Sequence, residues 1–375
     1  MTRALVAGAL ANKPGNGGAA WTRLSWVLGL RAIGLEVHLV EQLDRLDEGA
    51  PAAARWFRDV TARFGLTGWA TLLGPDGGTI VGLRRADLVE LAADAELLVN
   101  LSGHLKVREI TERVGTRVFV DLDPGYTQLW DHGGVASLGP HEHWYTVGSQ
   151  VGRPGCELPT GGRRWRPVRQ PVLLDEWPVL PPPECGAFTT VASWRGPFGP
   201  VLHRDRWLGG KAPELRALTT LPSLVEVPVE VALQIDEADD ADGAALRLAG
   251  WRVVEAGAVA GDPDAFRRYV QHSAGELSVA QSVYVHARTG WFGDRSTRYL
   301  ATGRPVVVQD TGFSDDLPVG EGLLCFTDLH GAAAALEDVA EDPERHARAA
   351  RRIAEEHFDA RLVLSSLCEE VDVAP

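Results

Sequence analysis

One stretch of the chain, residues 290–308, predicts a turn, a helix and a strand in direct succession: Gly290-Trp291-Phe292-Gly293-Asp294-Arg295-Ser296-Thr297-Arg298-Tyr299-Leu300-Ala301-Thr302-Gly303-Arg304-Pro305-Val306-Val307-Val308. Asp294 is a typical N-cap residue, Gly303 a typical helix stop, and Pro305 leads into an apolar run. We expect the turn to follow a strand at Ser282–His286. The free N–H groups of such a helix start favour an anion, although a capped helix with nothing bound fits the same pattern.

The same alternation extends from about residue 187 to residue 370. Apolar runs predict strands and amphipathic runs predict helices. The predicted strands are Phe188–Ser193, Leu224–Leu233, Trp251–Glu255, Pro305–Gln309 and Gly322–Phe326, and the predicted helices are Pro213–Leu218, Gly243–Ala249, Pro263–Ser273 and Arg295–Thr302, with three more between Gly331 and Glu370. This order predicts an α/β domain with a parallel sheet.

Residues 1–150 show a second alternation of the same kind, with strands at Ala4–Ala9, Glu36–Val40, Leu97–Leu101 and Arg117–Leu122 and a helix at Ala19–Ile33. Residues 153–183 carry eight prolines together with Trp165 and Trp177, which predicts an extended connector. We therefore expect two Rossmann-like domains, residues 1–183 with the connector and residues 184–375, with the option that the last helix packs back on the first domain. Such a pair places a ligand site in the cleft between the carboxyl ends of both sheets.

Composition and charge exclude several classes of protein. The 375 residues have ordinary hydrophobic and charged fractions, so a disordered or fibrous protein is excluded. The 37 basic and 51 acidic residues give a net charge of −14, which should repel nucleic acid and anionic membranes. The widely spaced Cys156, Cys185, Cys325 and Cys368 are expected to be free thiols. Without a signal-peptide pattern or an apolar stretch of roughly 18 residues, we expect a cytoplasmic protein without a membrane span.

The stretch at residues 290–308, followed by Gln309-Asp310-Thr311-Gly312, resembles the donor-binding half of glycosyltransferases of the GT-B fold. Ala192-Ser193-Trp194-Arg195-Gly196 and Gly209-Gly210-Lys211-Ala212-Pro213-Glu214-Leu215 resemble the arginine loop and the lysine-led helix of that family. The resemblance implies that Arg195, Lys211, Arg295, Ser296 and Thr297 hold the diphosphate of a nucleotide sugar. Without the family, Arg195 and Lys211 are two surface cations.

The chain departs from the large retaining group of this fold, because Gly290 and Arg298 stand at the two glutamate positions of its motif. The resemblance therefore does not decide between retention and inversion. It places the nucleoside at the loop Ala256–Asp262, around Val259. Glu276 is a candidate to accept hydrogen bonds from the ribose, or else an exposed acid at a helix end.

A glycine-rich loop follows the first predicted strand and opens the first predicted helix. The resemblance assigns Asn12, Gly15, Gly17 and Gly18 in this loop to the cleft and the acceptor. A dinucleotide or ATP loop is the alternative, with Glu41 as the ribose acid, but the glycine spacing fits neither GxGxxG nor GxxxxGK[ST].

A base near the acceptor hydroxyl would assist transfer, and two predicted strand ends offer one. We favour Asp123 over His104, although Asp123-Pro124-Gly125 also fits a plain turn. His141 and His143 invite a metal site, which we discount because no third ligand is near in sequence.

These features together predict an enzyme that moves a sugar from a nucleoside-diphosphate donor, UDP before dTDP or GDP, to a hydroxyl or amine of a small acceptor. The family works without a metal, so no cofactor is expected beyond the nucleotide sugar. An arginine-rich composition with few lysines is typical of a high-GC coding bias, which suggests a secondary metabolite as acceptor. The alternatives are a sugar-nucleotide epimerase of the same architecture and a non-catalytic two-domain binding protein.

Overall fold

Two parallel sheets, one from each half of the chain, form the framework of the computed structural model, which describes residues 2–181, 183 and 186–374. Residues 2–181 are named the N-terminal half below, and residues 186–374 the C-terminal half. Cys185 lies outside the described residues. The described Cys156, Cys325 and Cys368 are free thiols.

The N-terminal half contains eight strands and five helices. The strands are β1 (Arg3–Ala7), β2 (Glu36–Gln42), β3 (Ala70–Leu73), β4 (Thr79–Val81), β5 (Leu97–Leu101), β6 (Thr116–Asp121), β7 (His143–Thr146) and β8 (Trp165–Pro167), and the helices are α1 (Gly17–Ala32), α2 (Ala50–Arg63), α3 (Arg85–Ala93), α4 (Arg108–Thr111) and α5 (Tyr126–His132). The sheet order is β4-β3-β2-β1-β5-β6-β7-β8, and every pair is parallel except β3 with β4.

The C-terminal half contains a second sheet and a hairpin. Its strands are β9 (Phe188–Ser193), β10 (Val201–His203), β11 (Arg206–Leu208), β12 (Val229–Gln234), β13 (Arg252–Glu255), β14 (Gly275–Ser278), β15 (Val306–Gln309) and β16 (Leu323–Phe326). Its helices are α6 (Ala212–Ala217), α7 (Asp240–Leu248), α8 (Ala256–Ala260), α9 (Pro263–Gln271), α10 (Ser282–His286), α11 (Asp294–Ala301), α12 (Leu329–Glu341), α13 (Pro343–His357) and α14 (Ala360–Glu370). The sheet order is β13-β12-β9-β14-β15-β16, with all pairs parallel.

Both sheets reverse their strand order at the first strand of the half. In the N-terminal half β1 lies between β2 and β5, and in the C-terminal half β9 lies between β12 and β14. The crevice at the carboxyl end of such a reversal is where open α/β sheets bind ligands. The topology therefore places one ligand-binding crevice in each half.

Several sequence predictions are corrected by these elements. Ser282–His286 is the helix α10 rather than a strand, because Val283 and Tyr284 pack on Tyr126 and on the β10–β11 hairpin, and this packing overrides their β propensity. The loop predicted at Ala256–Asp262 contains the helix α8. The predicted strand Leu224–Leu233 begins only at Val229, after Pro228.

The proline-rich connector is partly a strand. Trp165 begins β8, which adds to the edge of the N-terminal sheet, and its side chain is buried. Trp177 is fully buried against Trp21 of α1 and Phe266 of α9. The two indoles therefore fasten residues 165–177 to both halves.

Two close contacts join the halves at glycines. A Cβ on Gly29 of α1 would lie 2.5 Å from Leu364 Cδ1, so the last helix, α14, crosses α1 at short range. A Cβ on Gly17 would lie 2.1 Å from the carbonyl oxygen of Asp262. Glycine is required at residue 17 because the backbones of the two halves meet there.

Among the helices of the described residues, none combines the length and the apolar character needed to cross a membrane.

Candidate functional site

The residues that follow the central strands of both sheets line one cleft, with a volume of about 800 Å³. Its N-terminal wall is formed by the loop after β1, the start of α1 and the loop after β6. Its C-terminal wall is formed by the loop after β9, the start of α6, the start of α8 and the turn that leads into α11. The cleft therefore joins the two crevices that the topology creates.

The start of α11 directs main-chain donors into the cleft. Its N-cap is Gly293 rather than the predicted Asp294, because the Asp294 carboxylate turns away to Thr22 Oγ1 and Arg298 Nη1. The first bond inside the helix runs from Thr297 N to Gly293 O at 3.3 Å. The N–H groups of Asp294, Arg295 and Ser296 therefore precede the helical ladder and remain available as donors.

Two of the predicted diphosphate ligands have different surroundings from those expected. Thr297 is fully buried, with its N–H inside the helix and its hydroxyl donating to Asp294 O at 2.8 Å, so it is not available to a ligand. Ser296 lies behind the cleft wall and is 3% exposed, so its side chain does not line the cleft.

The guanidinium of Arg295 is held by the sheet beneath it. Its Nε donates to Glu276 Oε1 at 2.6 Å, and its other nitrogens donate to Val191 O and Ser278 Oγ. Burial is the largest single influence and would lower the pKa of Arg295, but the charge and hydrogen bond of Glu276, together with the nearby Tyr299 and Asp294, raise the pKa overall. The side chain of Arg295 therefore fixes the helix start as part of a buried ion pair.

Glu276 is neither an exposed acid at a helix end nor a residue that lines the cleft. It lies on β14, is 0% exposed, and is covered by Arg295. Its Oε2 is buried without a hydrogen-bond partner among the described residues. The predicted contact of Glu276 with a ribose is not available in this arrangement.

Arg195 and Lys211 both line the cleft, but only Arg195 is bound to an acid. Arg195 is half exposed and bound to Asp239, with Nε–Oδ2 at 2.5 Å and Nη2–Oδ1 at 3.0 Å. Lys211, at the N-cap of α6, is in none of the ion pairs of the described residues. Burial, followed by the charge of Arg295, lowers the pKa of Lys211 to about 7. Lys211 is therefore a cation that an anionic ligand would stabilise.

The predicted nucleoside region is a helix start rather than a loop. Ala256, Gly257 and the N-cap Glu255 line the cleft, and the Glu255 carboxylate accepts from Ala258 N at 3.0 Å. Val259 packs against the hydrophobic core instead and does not line the cleft. The correction follows from the helical turn, which places residues 256 and 257 on one side and residue 259 on another.

The two positions at which the retaining group carries glutamate are used for contacts between the halves. Gly290 has φ +71°, and a Cβ there would lie 2.4 Å from Ser149 Oγ. Arg298 is fully buried and donates to Asp294, whose carboxylate also accepts from Thr22 of α1. A glutamate at residue 290 would not fit, which gives a physical reason for the departure from the motif.

The loop after β1 is held by the buried carboxylate of Glu41. Its Oε2 accepts from Leu10 N at 2.8 Å and Ala11 N at 2.7 Å, and its Oε1 accepts from Asn12 N at 2.8 Å. Burial raises the pKa of Glu41 to about 7, although these hydrogen bonds oppose the shift. Because both oxygens bind the loop, Glu41 is not free to bind a ribose, which argues against the dinucleotide alternative.

Three of the four predicted loop residues line the cleft, namely Asn12, Gly15 and Gly18. Gly17 does not; it is the residue that meets the backbone of Asp262. Asn16, which was not predicted, is the N-cap of α1 and accepts from Ala19 N at 2.8 Å.

The two candidate bases, Asp123 and His104, have different surroundings. Asp123 lines the cleft, and its Oδ1 accepts from Tyr284 Oη at 3.0 Å, so a residue of the C-terminal half orients it. His104 does not line the cleft, and burial, followed by the charges of Arg23 and Lys13, lowers its pKa to about 3. His104 is therefore a neutral and weakly basic group at pH 7.

Two cations of the N-terminal wall were missed from the sequence. Lys13 and Arg23 both line the cleft, next to Asp123. A single lysine in a glycine-rich loop and a single arginine within a helix have no sequence signature. The rarity of lysine is the one available signal, since only three of the 37 basic residues are lysines and two of these, Lys13 and Lys211, line the cleft.

The histidines near residue 141 have other partners. His141 packs on Phe119 and Trp144 and lies 3.2 Å from Asn100 Nδ2, while Glu142 pairs with Arg117. Within the part of the chain that the structure describes, no group of three potential metal-ligating side chains occurs.

Comparison with solved structures identifies the fold. HepE of Anabaena, solved with UDP and glucose, is 12% identical with a TM-score of 0.59, and the alignment covers 99% of this chain and 100% of that one. An alpha-glucosyltransferase solved with UDP and DNA is 9% identical with a TM-score of 0.59, covering 99% and 100%. AviGT4, a glycosyltransferase involved in avilamycin A biosynthesis, is 14% identical with a TM-score of 0.53, covering 99% and 97%.

The sequence itself matches no protein-family model and no curated protein. At identities this low the likeness establishes the fold and no more. The chain has the GT-B fold, as the resemblance at residues 290–308 predicted.

Proposed function

We propose that this chain is a glycosyltransferase that moves a sugar from a UDP-sugar to a hydroxyl or amine of a small acceptor. One observation carries the proposal: the cleft between the two strand-order reversals has Lys211 and the start of α11 on one wall and Asp123 on the other. The similar structures that hold UDP support the choice of donor. AviGT4 supports a natural-product acceptor.

The donor diphosphate would lie against the C-terminal wall. Lys211 and the N–H groups of Arg295 and Ser296 would bind its oxygens, and Arg195 would join them after exchanging Asp239 for a phosphate. A departing nucleoside diphosphate gains negative charge, which fixed donors and cations stabilise. The nucleoside would lie over the start of α8, beside Glu255.

The acceptor would lie against the N-terminal wall, where Asp123 receives the proton of its hydroxyl. Tyr284 positions the carboxylate from the opposite half, so the base and the donor site are held in one arrangement. Closure of the two halves over the substrates would exclude water and prevent hydrolysis of the donor.

The cations at the cleft suit a reaction that needs no metal. We expect transfer to continue at an unchanged rate in an excess of EDTA. A rate that falls with EDTA and returns with Mg²⁺ or Mn²⁺ would refute this part of the proposal.

A small acceptor rather than DNA follows from charge. One of the similar structures contains DNA, but the net charge of −14 disfavours a phosphate backbone on this chain. Transfer from UDP-glucose to hydroxymethylated DNA would contradict the proposed acceptor class.

The donor is tested by thermal unfolding with UDP, dTDP, GDP and ADP. A ligand at 100 times its dissociation constant adds about 2.7 kcal/mol of stability. We expect UDP to raise the melting temperature most, and Lys211→Gln to abolish the shift. Lys106→Gln, an exposed lysine outside the cleft, is the matched control and should leave the shift unchanged.

The reaction is tested by UDP release from UDP-sugars with and without acceptors. Dependence of release on an added acceptor supports transfer, whereas an epimer formed from the UDP-sugar alone supports an epimerase. Asp123→Asn should lower the transfer rate by about 10²–10⁴-fold and change UDP binding little. Equal loss of UDP binding in Asp123→Asn and Lys211→Gln would overturn the assigned roles.

A further inference from the structure

Two cations of the N-terminal wall, Lys13 and Arg23, face the cleft without an acid of their own. Arg23 is 6% exposed, and its Nη1 donates to Ala19 O at 3.2 Å. Its Nε is buried without a hydrogen-bond partner among the described residues. Within the same part of the chain, no ion pair or side-chain hydrogen bond involves the ammonium group of Lys13.

Among the described residues, none of the acids around this pair forms an ion pair with it. Glu41 binds the N–H groups of the loop after β1, Asp294 accepts from Thr22 and Arg298, and Asp123 accepts from Tyr284. A buried guanidinium with a free donor and no dedicated carboxylate is costly unless a ligand supplies the anion.

The two cations are close enough to repel each other. The charge of Arg23 is the largest cause that lowers the pKa of Lys13, ahead of burial. An anion placed between them would remove the repulsion and supply acceptors for both groups, including the free Nε–H of Arg23.

The fold makes room for the arginine at the carboxyl end of β1. A Cβ on Gly8 would lie 2.9 Å from Arg23 Cγ and 3.4 Å from Leu101 Cδ1. Glycine at residue 8 therefore lets the stem of Arg23 lie over the ends of β1 and β5, with its charged end in the cleft.

This pair is on the acceptor side of the cleft. The charge of Asp294 acts on Lys13, Arg23 and Lys211 alike, but that of Asp123 acts only on Lys13 and Arg23, and that of Glu276 only on Lys211. An anion held by Lys13 and Arg23 would therefore lie beside the candidate base, and the diphosphate would lie beside Lys211.

We propose that Lys13 and Arg23 form a second anion site, which binds a phosphate or carboxylate group of the acceptor and so selects an anionic small molecule. The assignment to the acceptor rests on the proposed transferase function. The same two cations could instead reach a phosphate of the donor, and the experiment separates these two sources of the anion.

The binding test is calorimetric titration of inorganic phosphate into protein saturated with UDP. We expect one phosphate to bind, and Lys13→Gln and Arg23→Gln each to weaken it at least tenfold while UDP affinity changes less than threefold. Arg23→Lys should retain more affinity than Arg23→Gln. Lys106→Gln, the exposed control, should bind phosphate as the wild type does.

Three outcomes of this titration would overturn the proposal. One is that phosphate does not bind the wild type once UDP is bound. Another is that Lys13→Gln and Arg23→Gln weaken UDP binding as strongly as Lys211→Gln, which would assign the pair to the donor. The third is a decrease in phosphate binding for Lys106→Gln equal to that for Lys13→Gln, which would indicate general charge attraction.

The acceptor test compares UDP release from UDP-glucose with glucose, glucose 6-phosphate and glucuronate as acceptors. We expect kcat/KM for at least one of the two anionic sugars to exceed that for glucose at least tenfold, and Lys13→Gln to remove most of the difference. Preference for the neutral sugar would overturn the acceptor assignment. A wild type that binds phosphate through Lys13 and Arg23 but binds no UDP or UDP-glucose would refute the transferase and leave the anion site.

Discussion

Each half of the molecule buries one glutamate beside the cleft, and the two carboxylates have different partners. Glu276 of the C-terminal half pairs with Arg295 and holds the start of α11. Glu41 of the N-terminal half accepts the N–H groups of residues 10–12 and orders a loop. The first acid forms an ion pair with a cation, whereas the second binds main-chain N–H groups and acts on Lys13 and Arg23 only through its charge at longer range. The C-terminal wall is thus ordered by an internal ion pair, whereas the N-terminal wall keeps two cations outside the ion pairs of the described residues.

The largest expected effect breaks the ion pair of the C-terminal wall. Arg295→Met leaves the Glu276 carboxylate buried and unpaired, and should lower the free energy of unfolding by about 3–5 kcal/mol, measured by chemical denaturation at pH 7.

Arg195→Met is the matched control for this substitution, because the Arg195 side chain is 62% exposed in its pair with Asp239. It should destabilise the protein much less than Arg295→Met does, because water already solvates an exposed arginine. Equal stability of Arg295→Met and the wild type would show that the buried pair does not order this wall.

The next effect concerns the acid of the N-terminal wall. Glu41→Gln keeps one oxygen acceptor but replaces the other with an amide that cannot accept, and should lower the free energy of unfolding by about 1–3 kcal/mol. Burial raises the pKa of Glu41 from 4.5 to about 7. Its contribution to stability is therefore fully present below pH 4.5 and is lost as the pH rises through 7.

The stability difference between wild type and Glu41→Gln should accordingly be larger at pH 5 than at pH 8. Denaturation curves for both proteins at the two pH values measure it. A difference that grows toward pH 8 would contradict the assigned direction of the pKa shift.

The third expected effect is a pH dependence of UDP binding that arises from Lys211. Burial lowers the pKa of Lys211 to about 7. Diphosphate binding favours the protonated amine, so UDP affinity should fall by about tenfold for each pH unit between 7.5 and 9. Calorimetry in two buffers of different ionisation enthalpy should show proton uptake at pH 8. Lys211→Arg remains charged in this range and should give a flat profile; a flat profile for the wild type would exclude Lys211 from the diphosphate site.

The smallest expected effect concerns Arg23, the buried cation of the N-terminal wall. Arg23→Met removes a buried cation that has no carboxylate partner, and should change the free energy of unfolding by less than about 1 kcal/mol or increase it. Arg298→Met, an equally buried arginine paired with Asp294, is the matched control and should destabilise the protein clearly. A loss for Arg23→Met as large as that for Arg298→Met would make Arg23 a structural residue.

The parts of the fold that the sequence predicted are those with a local signal. Leu97–Leu101 is a nearly continuous apolar run and is a strand with the predicted bounds. Phe188–Ser193, which is rich in β-branched residues, is also a strand with the predicted bounds. The helix after the turn at residues 290–293 has clear stop residues and is also present. Ser282–His286 lacked such a signal, because contacts with α5 and with the hairpin decide its conformation.

The walls of the cleft were less predictable, because their chemistry depends on contacts between distant residues. The sequence presents Arg295 as a free cation, and only the packing of α11 on β14 shows that Glu276 binds it. It presents Gly290 as a change in a motif, whereas the close approach of Ser149 explains it. No local sequence pattern distinguishes Arg23, because its position in the cleft depends on the small size of the distant Gly8.

Helix α14 gives this protein an unusual order of assembly during synthesis. It comprises residues 360–370, yet it covers Gly29 and its neighbours on α1, near the beginning of the chain. Domains generally fold from the N-terminus as the ribosome releases them. The first half of this chain must instead wait, with an apolar helix face uncovered, until residues 360–370 have left the ribosome, and chaperones would meet it in that interval.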